Sequence, residues 1–226
     1  MKQYKVLLFD GDETLLDFKE AERQALKDTF HVFGYACDEK ILTRYHQINH
    51  GLWRDFERGR ITKVGIQNTR FQMLFDEFGL AKEDGIAPVF QKSLAEQAPL
   101  IEGAARVIAG LYERYPLYIV TNGVASTQRS RLRLSGLADY FQAVFTSEEI
   151  GYPKPTAEFF QRCFRQIPDL EVSKTLIIGD SLSADMAGGA AAGIDTCWFN
   201  PEGARNEENI PITMEIRQLT ELMNLL

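Results

Sequence analysis

Lys5-Val6-Leu7-Leu8-Phe9-Asp10-Gly11-Asp12-Glu13-Thr14 is the stretch on which the fold turns. Its first half is a short apolar run with the length and bounds of a buried strand. Strands covered on both faces in a parallel sheet read as continuous apolar runs, and this one ends on two carboxylates. In open α/β sheets ligands collect just beyond the carboxyl ends of the strands, where Asp10 and Asp12 would stand. Two acids two residues apart suit a hard divalent cation, and one of them can attack an electrophile. A plain loop of solvated acids, with Asp12 capping a helix, is the alternative at this point.

Outward from that stretch the pattern changes twice. From about Asp17 to Gln97 the apolar residues recur at helical spacing. One helix carries Ala21, Ala25, Leu26 and Phe30 and stops at Gly34, and a second carries Ile41, Tyr45, Ile48 and Leu52. A third follows Thr62 with Ile66, Phe71, Leu74 and Phe75, and a weaker fourth runs from about Asp84 with Pro88 near its start. Four helices with no strand between them predict a small bundle inserted after the first strand. From Pro99 onward helix and strand alternate. The strands are Leu117–Thr121, Ala143–Thr146, Thr175–Gly179 and Thr196–Phe199, and Leu219–Leu226 reads as a packing helix. That alternation predicts an α/β core with a Rossmann-like parallel sheet, formed by residues 1–16 and 98–226 around an insert of residues 17–97.

Parallel strands share a direction, so the loops at their carboxyl ends open on one edge of the sheet. Those loops hold Thr121-Asn122-Gly123, Lys154 between two prolines, and Gly179-Asp180-Ser181 with Asp185 a turn later. Asp10 and Asp180 offer carboxylates for Mg2+, and a backbone carbonyl near Asp12 can complete the protein's share of the shell. Lys154 brings a positive charge, while the Thr121 hydroxyl and the amides of Asn122 and Gly123 can bind phosphoryl oxygens. Plainer readings stand beside these: Asn-Gly as a turn, Lys-Pro as surface loop, and Ser181 as a helix cap. Gly188, Gly189 and Gly193 suit close helix packing and form no dinucleotide fingerprint. His46 and His50 have a zinc-like spacing with no acid between them. Arg129, Arg131 and Arg133 fall on different helical faces, which reads as solvated surface.

Composition narrows the partners. There are 25 basic and 32 acidic side chains, a formal net charge of −7, which argues against binding a nucleic acid polymer. Cys37, Cys163 and Cys197 are odd in number and far apart, so neither a disulfide framework nor a zinc knuckle is expected. No segment has the apolar length of a membrane span, and the first apolar run is too short for a signal segment. A cytoplasmic protein with no membrane partner is the expectation.

In order, Asp10-x-Asp12-x-Thr14, Thr121-Asn122-Gly123, Lys154-Pro155 and Gly179-Asp180-Ser181-x-x-x-Asp185 resemble the four motifs of the haloacid dehalogenase superfamily of phosphohydrolases. The insert resembles that family's C1 cap, which closes over the active site. The resemblance implies strand order 5-4-1-2-3 and hydrolysis of a phosphate monoester with Mg2+ through an aspartyl-phosphate. It implies Asp10 as nucleophile, Asp12 as the acid that protonates the leaving oxygen and later activates water, and Thr121 and Lys154 as holders of the phosphoryl group. Asp180 would ligate magnesium and Asp185 would support the metal site. Members that remove halogens lack the second acid, so Asp12 favours phosphate chemistry. One departure is Glu13, which stands where most members have glycine. Asp-x-Asp-Glu-Thr is similar to a bacterial branch of pyrimidine 5′-nucleotidases. So are the segment Asn49 to Phe56, the Ser147 to Gly151 lead-in to Lys154, and Thr196-Cys197-Trp198.

The implied substrate is a small phosphorylated metabolite, a nucleoside monophosphate on the branch resemblance, handled by a monomer or dimer. Within the insert Trp53 or Tyr45 can stack on a base and Asn49 can bond its edge, although packing explains Trp53 at least as well and Tyr45 better. Three rivals stand: a sugar-phosphate phosphatase or phosphomutase of the same fold, a receiver-like phospho-acceptor, and a non-catalytic scaffold.

Overall fold

The computed structural model describes residues 3–226. The chain divides into two compact units. One comprises the chain up to Asp17 together with Ala98–Leu226, and the other is Phe18–Gln97.

The first unit is a parallel sheet whose centre is β1 (Val6–Phe9). It lies between β2 (Leu117–Thr121) and β4 (Thr175–Gly179), with β3 (Phe141–Thr146) outside β2 and β5 (Asp195–Phe199) outside β4. A sixth strand, β6 (Met214–Ile216), extends the edge beside β5, so the order is β3-β2-β1-β4-β5-β6. The expected order of five strands is present, and β6 adds to it. Three residues at an edge, after a loop rich in polar side chains, leave almost no periodic signal.

The strands show why their sequences are apolar throughout. Leu7 and Phe9 point to one face with Leu117, Ile119, Leu176 and Ile178. Val6 and Leu8 point to the other with Tyr118, Val120 and Ile177. Period-two alternation across two covered faces requires apolar residues at every position. On the first face pack Val107, Ile108 and Leu111 of α5 (Ala104–Tyr112) and Leu132 of α6 (Ala125–Leu134). On the second pack Phe159, Phe160 and Cys163 of α8 (Ala157–Phe164). Each fully buried Leu or Phe contributes about 1.5–3 kcal/mol, so a charge at Leu8 would undo the sheet at its centre.

The second unit holds α1 (Phe18–Val32), α2 (Glu39–Glu57), α3 (Lys63–Phe78) and α4 (Ile86–Ala95). The Asp38 and Thr62 side chains cap α2 and α3 by accepting from the backbones of Ile41 and Gly65, and Gly79 ends α3 in the left-handed region. Tyr45 is fully buried with ring centroids 5.3 Å from both Phe71 and Phe90, so it is a core residue of this unit. The His46–His50 spacing has a structural explanation as well: His46 Nδ1 lies 2.7 Å from Glu22, and the two imidazoles stack. Among the described residues no helix is long and apolar enough to cross a membrane.

Candidate active site

Register brings the motifs together. Phe9 pairs with Ile119 on one side and Ile178 on the other, and the Asp10 amide donates to the Ile178 carbonyl at 2.9 Å. The residues that follow β1, β2 and β4 therefore leave the sheet at one level. The loop after β3 joins them through a short helix, α7 (Ser147–Ile150).

Lys154 sits at the centre. Its side chain is 2% exposed, and Nζ donates to Asp10 Oδ1 at 2.5 Å, Asp185 Oδ1 at 2.7 Å and the Val120 carbonyl at 2.8 Å. Three donors meet three acceptors, so the ammonium is fully satisfied. Burial alone would lower its proton affinity, but Asp10 and Asp185 outweigh burial and hold it above the ordinary lysine value. The backbone of Lys154 is fixed by the Asn122 side chain, which accepts from its amide at 2.9 Å and donates to its carbonyl at 3.0 Å. Lys154 is thus a buried charge at the end of a two-bond clamp, and the surface-loop alternative is excluded.

Asp10, Asp180 and Asp185 place carboxylate oxygens within 4.8 Å of one another. Burial, reinforced by Asp185 and opposed by Lys154, pushes Asp10 up to about 7. Burial and the charges of Asp10, Asp185 and Glu13 raise Asp180 well above the carboxylate range. Three carboxylates against one ammonium leave an excess of two negative charges when all are ionised. An all-oxygen donor set with that excess fits a divalent cation such as Mg2+. Thr14 Oγ1 donates to Asp180 at 3.3 Å, and the Trp198 indole donates to the Asp180 carbonyl at 2.9 Å.

Asp185 lies on a single π turn, Leu182–Met186, that precedes α9 (Ala187–Ala191). The turn opens with Ser181 as cap, its hydroxyl accepting from the Ala184 amide at 3.0 Å. Asp185 Oδ2 in turn accepts from the Ser181 amide at 3.2 Å. A Cβ on Gly179 would fall 2.3 Å from Asp185 Oδ2, so only glycine at the end of β4 leaves room for that carboxylate. Gly188 and Gly189 play the packing role expected of them: a Cβ there would come within 2.5 Å of Phe160 and 2.6 Å of Ile177.

On the other side of Asp10, the Gly123 amide donates to the Thr121 hydroxyl at 3.0 Å, which tightens the turn after β2. The Asp12 side chain stands apart from the three-carboxylate cluster. Its Oδ2 accepts from Gln128 Nε2 at 2.5 Å, and its Oδ1 is paired with Arg131. Arg131 is completely buried, which corrects the reading of the α6 arginines as solvated surface. That reading treated the three as one set. Arg129 does lie outside, paired with Glu149, but Arg131 follows Gln128 by three residues and precedes Leu132, the apolar residue that marks the inward face. A helical wheel centred on Leu132 places Gln128, four residues earlier, on the inward face, and Arg131 is the neighbour of Gln128 three residues on.

In the helical unit, Asn49 is buried, donating to Glu22 at 2.6 Å and accepting from Arg70 at 3.4 Å. Trp53 is partly buried and meets Phe56 edge to face.

A sequence model of haloacid dehalogenase-like hydrolases matches residues 4–193. The solved structure of the HAD-hydrolase YfnB from Bacillus subtilis, bound to magnesium, superposes with a TM-score of 0.95 at 45% identity, covering 100% of this chain and 99% of that one. The pyrimidine 5′-nucleotidase PynA of Streptococcus pneumoniae is 42% identical over 99% of this chain and 95% of its own length. The pyrimidine 5′-nucleotidase YjjG of Escherichia coli is 31% identical over 97% and 96%. The matched span begins ahead of β1 and runs past Asp185, so it takes in Asp10, Asp12, Lys154, Asp180 and Asp185, and the chain belongs to the haloacid dehalogenase-like hydrolases.

Proposed function

We propose that the chain is a magnesium-dependent phosphoric monoester hydrolase that works through an aspartyl-phosphate on Asp10 and acts on pyrimidine nucleoside 5′-monophosphates. The observation that carries the reaction class is Lys154, a buried ammonium held between Asp10 and Asp185 in a cluster with excess negative charge. A fixed cation beside a carboxylate nucleophile serves a dianionic substrate, whose unaided hydrolysis is among the slowest of biological reactions.

Asp10 attacks phosphorus as the ester P–O bond breaks, and Asp12 gives its proton to the leaving oxygen. Asp12, again a carboxylate, then takes a proton from water as that water attacks the Asp10 phosphate, releasing inorganic phosphate. Lys154 serves the phosphoryl group as a fixed positive charge, while the Thr121 hydroxyl and the backbone of Asn122 and Gly123 bind its oxygens. Asp10 and Asp180, with the Asp12 carbonyl, would hold magnesium, which supplies charge neutralisation at those oxygens. Asp185 supports the site by fixing Lys154 and the Ser181 amide. The pyrimidine nucleotide class rests on PynA and YjjG. In the helical unit, Trp53 and Asn49 are the residues whose replacement tests base preference.

The test is phosphate release from a panel of 5′-nucleotides and sugar phosphates, with magnesium and with chelator. Magnesium-dependent release favouring UMP, dUMP or dTMP is expected. Asp10→Asn abolishes turnover while leaving the fold intact, and near-normal turnover in that variant would overturn the reading.

A further inference from the structure

Asp12 is held by one face of one helix. Gln128 and Arg131, three residues apart on α6, donate to different oxygens of the same carboxylate and so fix its plane as well as its position. Both donors are buried, at 1% and 0% exposure. The Gln128 side chain reaches Asp12 by passing over two glycines. A Cβ on Gly123 would lie 2.4 Å from Gln128 Nε2 and 2.8 Å from its Cγ, and one on Gly11 would lie 3.0 Å from Oε1. The glycine after Thr121-Asn122 therefore makes room for a side chain aimed at Asp12.

Gln128 also bears a cost that packing does not explain. Its Nε2 must face the carboxylate, because the opposite amide orientation would set oxygen against oxygen. Its Oε1 is then left buried with no hydrogen-bond partner. A side chain retained for stability would be better served by an apolar group of the same shape, since an unmade buried hydrogen bond is a penalty.

We propose that Gln128 and Arg131 are positioning residues, which aim the Asp12 carboxyl at the oxygen that leaves when the P–O bond breaks. The inference rests on the hydrolase reading and deepens it. In the step served, the bond from phosphorus to the ester oxygen breaks as the Asp12 proton passes to that oxygen. Asp12 is left as a carboxylate facing its two donors, and it regains a proton from the water that attacks the aspartyl-phosphate.

Leaving groups separate aim from folding. A nucleoside 5′-oxygen leaves only with a proton, whereas p-nitrophenolate leaves without one. Gln128→Met and Arg131→Lys are compared with wild type and Asp12→Asn in single-turnover reactions with UMP and with p-nitrophenyl phosphate, alongside KM and melting temperature. The expected result for both variants is a loss of about 10–100-fold on UMP, part of what a positioned acid supplies. p-Nitrophenol release stays within about threefold, as general-acid dependence requires. KM is unchanged in both, and Gln128→Met melts no lower than wild type. Equal losses on both substrates, or a split in Asp12→Asn that neither variant shares, would overturn the positioning role. A wild type without magnesium-dependent turnover, or an Asp12→Asn variant as active as wild type on UMP, would overturn the reaction itself and the aim with it.

Discussion

Glu13 adopts φ +57, the left-handed region in which a side chain crowds its own backbone. The turn that demands this conformation is tight: the Glu13 amide donates to the Leu16 carbonyl at 2.8 Å, and the Leu15 and Leu16 amides both donate to Gly11. Glycine, the residue the motif resemblance leads one to expect here, takes this conformation without strain. Glu13 also adds a negative charge near Asp180, so this chain carries backbone strain and electrostatic load at one residue. Glu13→Gly and Glu13→Val both remove the charge, and they compare a residue at ease in the left-handed region with a β-branched one. The valine variant should be less stable than the glycine variant by about 1–2 kcal/mol in urea unfolding, and equal stabilities would show that the turn is not strained. At this scale the sequence was legible in which residues meet, as with Asp10, Lys154 and Asp180, whose type and order mark them before any contact is seen. It was not legible where a side chain serves another side chain. Nothing in the letters Gln128 and Arg131 says that both end on Asp12, because the contact spans 116 and 119 residues of chain.

At the scale of elements, parallel pairing does most of the work. Once β1, β2 and β4 are read as neighbouring strands, Asp10, Thr121 and Asp180 must emerge at one edge, and they do. Lys154 is different, because α7 and Pro153 separate it from β3 and no pairing rule fixes its place. The Asn122 side chain supplies what pairing does not, bonding both the amide and the carbonyl of Lys154 as a neighbouring strand would. The order of residues points the Asn122 backbone at the phosphoryl group and gives its side chain no task. Asn122→Ala deletes both bonds and strands two buried backbone groups, an expected cost of about 2–3 kcal/mol. Because the ammonium moves with its backbone, turnover should fall at least tenfold. A variant with full activity would show that Lys154 is placed by its own side-chain contacts alone. The π turn under Asp185 escaped the sequence for a related reason: the extra residue in that turn leaves no mark on apolar spacing.

Across the whole molecule, the three clustered carboxylates that could hold a metal lie on both sides of the insertion in sequence yet in one unit: Asp10 ahead of Phe18, Asp180 and Asp185 after Gln97. A cation held by them ties together the two chain segments of the core. The three cysteines can report this, since Cys37 lies in the helical unit and Cys163 and Cys197 lie in the core. Burial pushes Cys37 up to about 11, and Cys163 and Cys197 up to about 12. At pH 8 the native core thiols are then ionised to about one part in ten thousand, and alkylation proceeds through opening to forms with ordinary thiol reactivity. The sign follows directly. Raising pH increases the thiolate fraction and speeds all three reactions, whereas magnesium acts only on opening of the unit that binds it. With free Mg2+ at 100 times its dissociation constant, the core should gain about 2.7 kcal/mol. Alkylation of Cys163 and Cys197 should slow by about 100-fold. Cys37 should change by less than about twofold, as expected for a unit that opens without releasing the metal. Equal protection of all three thiols, measured by mass spectrometry of alkylated peptides, would mean that the two units open as one. Protection of none would remove the three-carboxylate cluster as the metal site.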